Sequence, residues 1–309
     1  MGKIKVNNYV LRNPKIKHNK TILCLSDTHG NINNIKDILE VIKQIKVDYI
    51  LVAGDIIDYL EQERQDEFFD ELVKLSNYAK TYITIGNHEL YRTIKKGVLI
   101  DLDEIKKSNM KDKLSNVPNL QFFCDKFSYV DIDEELGLAV INLNHDYFSN
   151  KESTDVFDKF IKGIEKDKNY KKLDNNKFNI LLSHSPNAII RKKKIIDNCD
   201  FIKKCDLTLC GHNHGGLIHP FFQDLFRNHY GLFGPYNRLV EPNAYGYWSN
   251  NERSVLVSSG VTKIGKSAPF NLLHTIVNKI LIPELDLITI ETGKEHKFRL
   301  VNRKNYKIK

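Results

Sequence analysis

Three short apolar runs, at 21–26 (TILCLS), 49–53 (YILVA) and 82–85 (YITI), alternate with two stretches whose apolar residues recur at helical spacing. In 32–45 the recurring residues are Ile32, Ile35, Ile38, Leu39, Ile42 and Ile45, which fall on one side of a 3.6-residue helix. In 61–78 they are Phe68, Phe69, Leu72, Val73 and Leu75. A brief apolar run without polar alternation is a strand covered on both faces. Strand, helix, strand, helix, strand is then the grammar of a mostly parallel sheet with helices laid against it. The alternation predicts an α/β fold.

The middle of the chain changes character. Runs at 120–123, 127–132 and 138–143 lie closer together, with a turn over 131–137, which predicts a hairpin-rich second sheet. A charged helix is expected over 153–168, and short strands at 178–182, 207–210, 255–258 and 285–290. There is no internal repeat and no low-complexity linker. The expected organisation is one domain over 21–292, an N-terminal extension at 1–20 and a basic C-terminal tail at 293–309. Residues 215–248, rich in aromatics, Gly and Pro and without a clear period, form an insert. Its aromatics either make an apolar lid beside a site or only pack beneath a long loop.

The 309 residues, 41% of them hydrophobic, suffice for a core of this kind. The 47 basic and 39 acidic residues leave a formal charge of +8, read first as a solvated Lys-rich surface and second as a field that would help draw in an anionic substrate. No stripe of Arg with interleaved aromatics marks a nucleic-acid groove, so no stable nucleic-acid partner is expected. Five cysteines include no CxxC pair, and Cys24 and Cys210 sit in apolar runs, as buried thiols of a reducing compartment do. No transmembrane segment is expected, because no run of about 18 apolar residues occurs, nor does an apolar leader. The expected location is cytoplasmic.

Five motifs follow directly on strand runs: Ser26-Asp27-Thr28-His29-Gly30, Gly54-Asp55-Ile56-Ile57-Asp58, Gly86-Asn87-His88-Glu89, Ser183-His184-Ser185-Pro186 and Gly211-His212-Asn213-His214-Gly215-Gly216. Ligands of open α/β sheets bind outside the carboxyl ends of the strands, so five strand ends deliver these side chains to one rim. What arrives there is imidazole, carboxylate and one amide oxygen, a mixture suited to borderline divalent metals such as Mn, Fe or Zn. Seven candidate ligands, Asp27, His29, Asp55, Asn87, His184, His212 and His214, are too many for one ion. They suit two ions sharing the carboxylate of Asp55.

Together these motifs resemble the calcineurin-like metallophosphoesterase superfamily, over about residues 20–292. Within it, 211–216 and the later Ser258-Ser259-Gly260, Pro283-Glu284-Leu285 and Ile288 are most similar to the YkuE-like phosphodiesterase branch. The resemblance implies a four-layer α/β/β/α sandwich. It implies one ion on Asp27, His29, Asp55 and His214, and a second on Asp55, Asn87, His184 and His212. It assigns His88 to catalysis, acting on the substrate and not on the metals. Asp58 and Glu89 would orient ligating imidazoles, although Asp58 fits a helix N-cap equally well. The implied reaction is hydrolysis of a phosphodiester or pyrophosphate by a hydroxide held between the ions, the substrate being a phosphate ester linked to a nucleotide or lipid. His145 and Asp146, after the run ending at Leu143, are candidate substrate contacts or an exposed turn. One departure stands out: where that branch has Arg-Gly-Leu-Gly, this chain has Ser259-Gly260-Val261-Thr262. The competing readings are a phosphomonoesterase acting on proteins or nucleotides, and a non-catalytic scaffold on the same fold.

Overall fold

A computed structural model describes residues 3–93, 100–191, 194–195, 199–218, 229–232, 234–237, 239–261 and 282–308. The first half runs β1 (Lys3–Asn13), β2 (Lys20–Leu25), α1 (Ile32–Ile42), β3 (Tyr49–Ala53), α2 (Gln65–Leu72), β4 (Lys80–Thr84), α3 (Leu102–Ile105), α4 (Asn109–Ser115) and β5 (Leu120–Phe122). Next come β6 (Phe127–Asp131), β7 (Leu136–Ile141), α5 (His145–Ser149), α6 (Thr154–Ile164) and β8 (Phe178–Ser183). A two-residue ladder of β9 (Ile190–Arg191) with β10 (Lys194–Ile195) leads to α7 (Asp200–Lys203) and β11 (Leu207–Cys210). The chain closes with β12 (Gly246–Ser249), β13 (Ser254–Val257), β14 (Glu284–Thr292) and β15 (Lys297–Lys307).

Two sheets result. Seven strands pair in the order β15-β1-β14-β2-β3-β4-β5, and six in the order β12-β13-β11-β8-β7-β6. Within them β2, β3, β4 and β5 run parallel, as do β7, β8, β11 and β13. Alternation along each strand separates two faces. Ile22, Cys24, Leu51 and Ala53 of the first sheet meet Leu138, Val140, Ile180, Leu182 and Leu209 of the second between the sheets. Their neighbours Leu23, Leu25, Ile50 and Val52 turn outward, onto Ile35 and Ile38 of α1 and Phe68, Phe69 and Leu72 of α2. On the far side Ile141, Leu181 and Val257 belong with Phe157 and Ile161 of α6. Helix, sheet, sheet and helix make the four-layer α/β/β/α sandwich.

Several expectations need correction. Of the extension expected at 1–20, residues 3–13 are not an extension, because β1 lies inside the first sheet, parallel to β14 and antiparallel to β15. Its Ile4, Val6, Tyr9 and Leu11 are buried although Lys and Asn separate them. The basic tail at 293–309 supplies β15, which shields the other edge of β1. The run at 120–123 joins the first sheet beside β4, and of the three middle runs only β6 and β7 pair as a hairpin in the second. Part of the expected insert is regular sheet: β12 pairs antiparallel with β13. Positions 219–228, 233 and 238 of that insert lie outside the described residues. Among the described residues no helix is long and apolar enough to cross a membrane.

Candidate metal centre

Each motif occupies the loop just past the carboxyl end of a parallel strand: Asp27 and His29 after β2, Asp55 after β3, Asn87 and His88 after β4, His184 after β8, His212 and His214 after β11. Backbone hydrogen bonds lace these loops together. His29 N donates to Asp55 O at 3.0 Å, Asp27 N to Gly54 O at 3.0 Å and Gly211 N to His184 O at 2.9 Å. Two loops approach so closely that only glycine fits. A Cβ on Gly86 would lie 2.1 Å from Asp55 Oδ1, and one on Gly211 would lie 2.6 Å from Asp27 Oδ2. Asp27, His29, Asp55, His212 and His214 themselves hold left-handed backbone, with φ of 56°, 48°, 50°, 79° and 44°.

The candidate ligating atoms gather into two groups, Asp27 with His29 and His214, and Asp55 with His184 and His212, each with its atoms within 4.8 Å of one another. His29 Nε2 lies 3.2 Å from His214 Nε2, and His184 Nε2 lies 3.2 Å from both His212 Nδ1 and Asn87 Oδ1. Asp55 stands between the groups. Its Oδ1 accepts from His88 N at 2.9 Å, leaving Oδ2 at 3.1 Å from His184 Nε2 and 3.9 Å from His29 Nε2. His88 lines the open side: its Nδ1 donates to Asp58 O at 3.0 Å and its Nε2 is 4.0 Å from Asp55 Oδ2.

Ring orientation is set from behind. His29 Nδ1 donates to Asp58 Oδ1 at 2.7 Å, and His184 Nδ1 donates to Ala53 O at 2.7 Å. In both rings Nε2 is therefore left to face the centre. A third cluster, His29, Asp58 and His88, lies beside the first. Glu89 acts differently from the expectation that it orients an imidazole. Fully buried, it accepts from the backbone N–H groups of Asp55 at 3.1 Å, Ile57 at 2.9 Å and Gly86 at 2.6 Å, pinning the β3 and β4 loops. Burial, with the Asp55 charge, pushes its pKa up to about 7.

Around His29 and His184 the site's electrostatics favour positive charge, whereas burial lowers the pKa of His214. Burial disfavours a charged His29, yet the Asp58 hydrogen bond and the charges of Asp55, Asp58 and Asp27 outweigh it, raising the ring to about 9. His184 is likewise driven up to about 10 against its burial, chiefly by Asp55. Asp55, also opposed by burial, is held well below the usual carboxylate range by His184, His88 and His29. A potential that draws protons onto buried imidazoles draws metal cations equally, and the two compete for the same lone pairs.

His145 and Asp146 begin α5 and pair with each other at 3.5 Å, both substantially exposed. From the same helix it is Phe148 that packs on His212, at 5.7 Å between rings. One buried carboxylate here carries no sequence signal: Glu152, in the charged stretch before α6, whose Oε1 is 2.6 Å from His212 Nε2. Burial opposes its charge, but His212, Asn187 and Ser185 hold its pKa down to about 2.

A four-layer sandwich whose strand tips cage a His and Asp cluster of this kind defines a class of metal-binding phosphoesterases. The calcineurin-like phosphoesterase model matches residues 20–216, and the chain belongs to that family. It is similar to an uncharacterised metallophosphoesterase of Helicobacter pylori (strain J99), 29% identical over 245 residues that cover 76% of this chain and 56% of the relative. A relative from Campylobacter jejuni is 26% identical over 251 residues, covering 78% and 57%. The chain thus spans little more than half the length of these relatives. Among solved structures, TT1561 of Thermus thermophilus aligns with a TM-score of 0.44 and 12% identity, covering 79% of this chain and 90% of that one.

Proposed function

We propose that this protein is a hydrolase of phosphoric ester bonds that works with two divalent cations. Asp27, His29, Asp55 and His214 would hold one ion, and Asp55, Asn87, His184 and His212 the other. The observation that carries this reading is the place of Asp55 Oδ2, within 3.1 Å of His184 Nε2 in one group and 3.9 Å of His29 Nε2 in the other. The donor set fits: imidazole nitrogens with their far sides anchored, carboxylates and one amide oxygen suit Mn, Fe or Zn. When bound, such a pair of ions polarises the phosphoryl oxygens and activates water for attack at phosphorus.

The chain's own contribution is positional. Asp55 is fixed through its Oδ1 by the His88 N–H, and Asp27 accepts the His212 N–H at 3.2 Å. The carboxylates therefore need little reorganisation when charge develops. The His88 side chain is 20% exposed where those of His184 and Asp55 are 2%. With Nδ1 anchored on Asp58 O, its Nε2 can meet a substrate oxygen and give a proton to the leaving group.

For substrate we favour a phosphodiester or pyrophosphate carrying an apolar group, as in nucleotide- or lipid-linked esters, over a small monoester. Leu232, Tyr236, Leu239 and Val240 are exposed. Leu232 N donates to Gly216 O at 2.8 Å, so this apolar stretch adjoins the His214 loop. The test compares bis-p-nitrophenyl phosphate with p-nitrophenyl phosphate, with Mn present and after chelation. Expected are faster diester turnover, loss of activity on chelation, and a His88→Ala variant that keeps its metal but loses about 10²–10⁴ in kcat. Faster monoester turnover reverses the substrate preference, and activity indifferent to chelation removes the metal mechanism.

A further inference from the structure

We propose that Glu152 is a positioning residue for the second cation, deciding which His212 nitrogen faces the centre; this rests on the two-cation function above. Its Oε1 lies 2.6 Å from His212 Nε2, and both side chains are almost completely buried. The approach is that of an ion pair and not of an aligned hydrogen bond, but a carboxylate charge that close repels a nitrogen lone pair and so favours the proton on Nε2. Nδ1 then keeps its lone pair, and it is Nδ1 that lies 3.2 Å from His184 Nε2. His184 is oriented the same way from the other side, its Nδ1–H being taken by Ala53 O. Two lone pairs from different loops thus converge beside Asp55 Oδ2.

The carboxylate is itself held rigidly. Oε1 also accepts from Ser185 Oγ at 2.9 Å, and Oε2 accepts from Asn187 Nδ2 at 2.6 Å. Its backbone N donates to Tyr147 O at 2.9 Å. Lys151 and Glu152 both adopt left-handed backbone, with φ of 51° and 62°, a conformation that costs energy in non-glycine residues and persists only where the surroundings enforce it. Ser185 follows His184 directly, so one carboxylate joins the β8 loop to the β11 loop, the two sources of imidazole for this site. Phe148 packs beside the His212 ring, 5.7 Å between centroids.

A mere structural brace would change stability and leave metal affinity alone, whereas a positioning role predicts a selective loss at one of two sites. The experiment titrates the metal-free 309-residue chain with Co²⁺, following heat and the visible absorption of the bound ion, for wild type, Glu152→Gln and Glu152→Ala. Wild type should bind two equivalents. Glu152→Gln can still accept from His212 through a neutral oxygen and should weaken one ion about tenfold; Glu152→Ala should weaken it about 100-fold, with an altered spectrum for that ion alone. The other affinity should be unchanged. Should Glu152→Ala not fold, the near-isosteric Gln variant carries the test. Wild-type affinities in the Gln variant, or equal weakening of both ions, would overturn the positioning role. Absence of Co²⁺ binding to wild type would instead overturn the function on which it rests.

Discussion

Asp27, His29, Asp55, His212 and His214 all sit in left-handed backbone, at a cost of roughly 1–3 kcal/mol for each non-glycine residue so held. Strain held at these candidate ligating positions, just past regular strands, is one way a fold aims side chains that ordinary turns would point elsewhere. Other residues carry no such strain but titrate in a useful range. His296 belongs to none of the motifs, its Nδ1 accepting from Asn13 Nδ2 at 2.9 Å and its Nε2 donating to Ser254 Oγ at 2.8 Å. A second ring proton would face an amide that can only donate. Burial first, then the Lys15 and Arg253 charges, lower its pKa to about 4. The unfolded chain, with a pKa near 6.5, then binds the proton more readily than the native one. This contribution to stability is complete above about pH 6.5 and is lost as pH falls through about 4. Urea denaturation at pH 7 and pH 4.5 should show wild type losing on the order of 1–2 kcal/mol more than His296→Gln; equal losses would contradict the shift.

At the scale of elements, β1 and β15 decide how the first sheet ends. β15 is a polar, basic edge strand with Phe298 and Tyr306 buried and charged residues such as Lys297 and Arg299 exposed, a composition that resists pairing with another chain. Deleting residues 297–309 should remove on the order of 3–6 kcal/mol through these two side chains alone and leave β1 as an unpaired edge. A lower urea midpoint and concentration-dependent light scattering are expected; a wild-type midpoint would show that β15 is only an appendage. Neither strand is legible as a core element in the sequence, since most of β15 is exposed and charged, and β1 buries Lys5 and Asn7 among its apolar residues. β2, β3 and β4 are legible because their doubly covered stretches, such as 22–25 and Tyr49–Ala53, are continuous apolar runs.

In the whole molecule the centre lies where the two sheets meet. Asp27, His29, Asp55, Asn87 and His88 come from the first, and His184, His212 and His214 from the second. Cations bound there would clamp the sheets together. Binding to the native state alone stabilises by about 2.7 kcal/mol at one hundred times Kd. For a chain of this length that is roughly 5 °C in melting temperature, to be read as the difference between Mn-loaded and chelated protein; no difference would deny the clamp. By itself the sequence determined the α/β class and the candidate ligands, because a doubly buried strand admits only apolar residues and a cage of this kind needs His and Asp beside glycine turns. Only the tertiary structure decided that Glu89 holds backbone, that Glu152 reaches His212 from a separate loop, and that both chain ends are sheet. Those facts depend on contacts between segments distant in the chain, and no local pattern of residues encodes a distance of that kind.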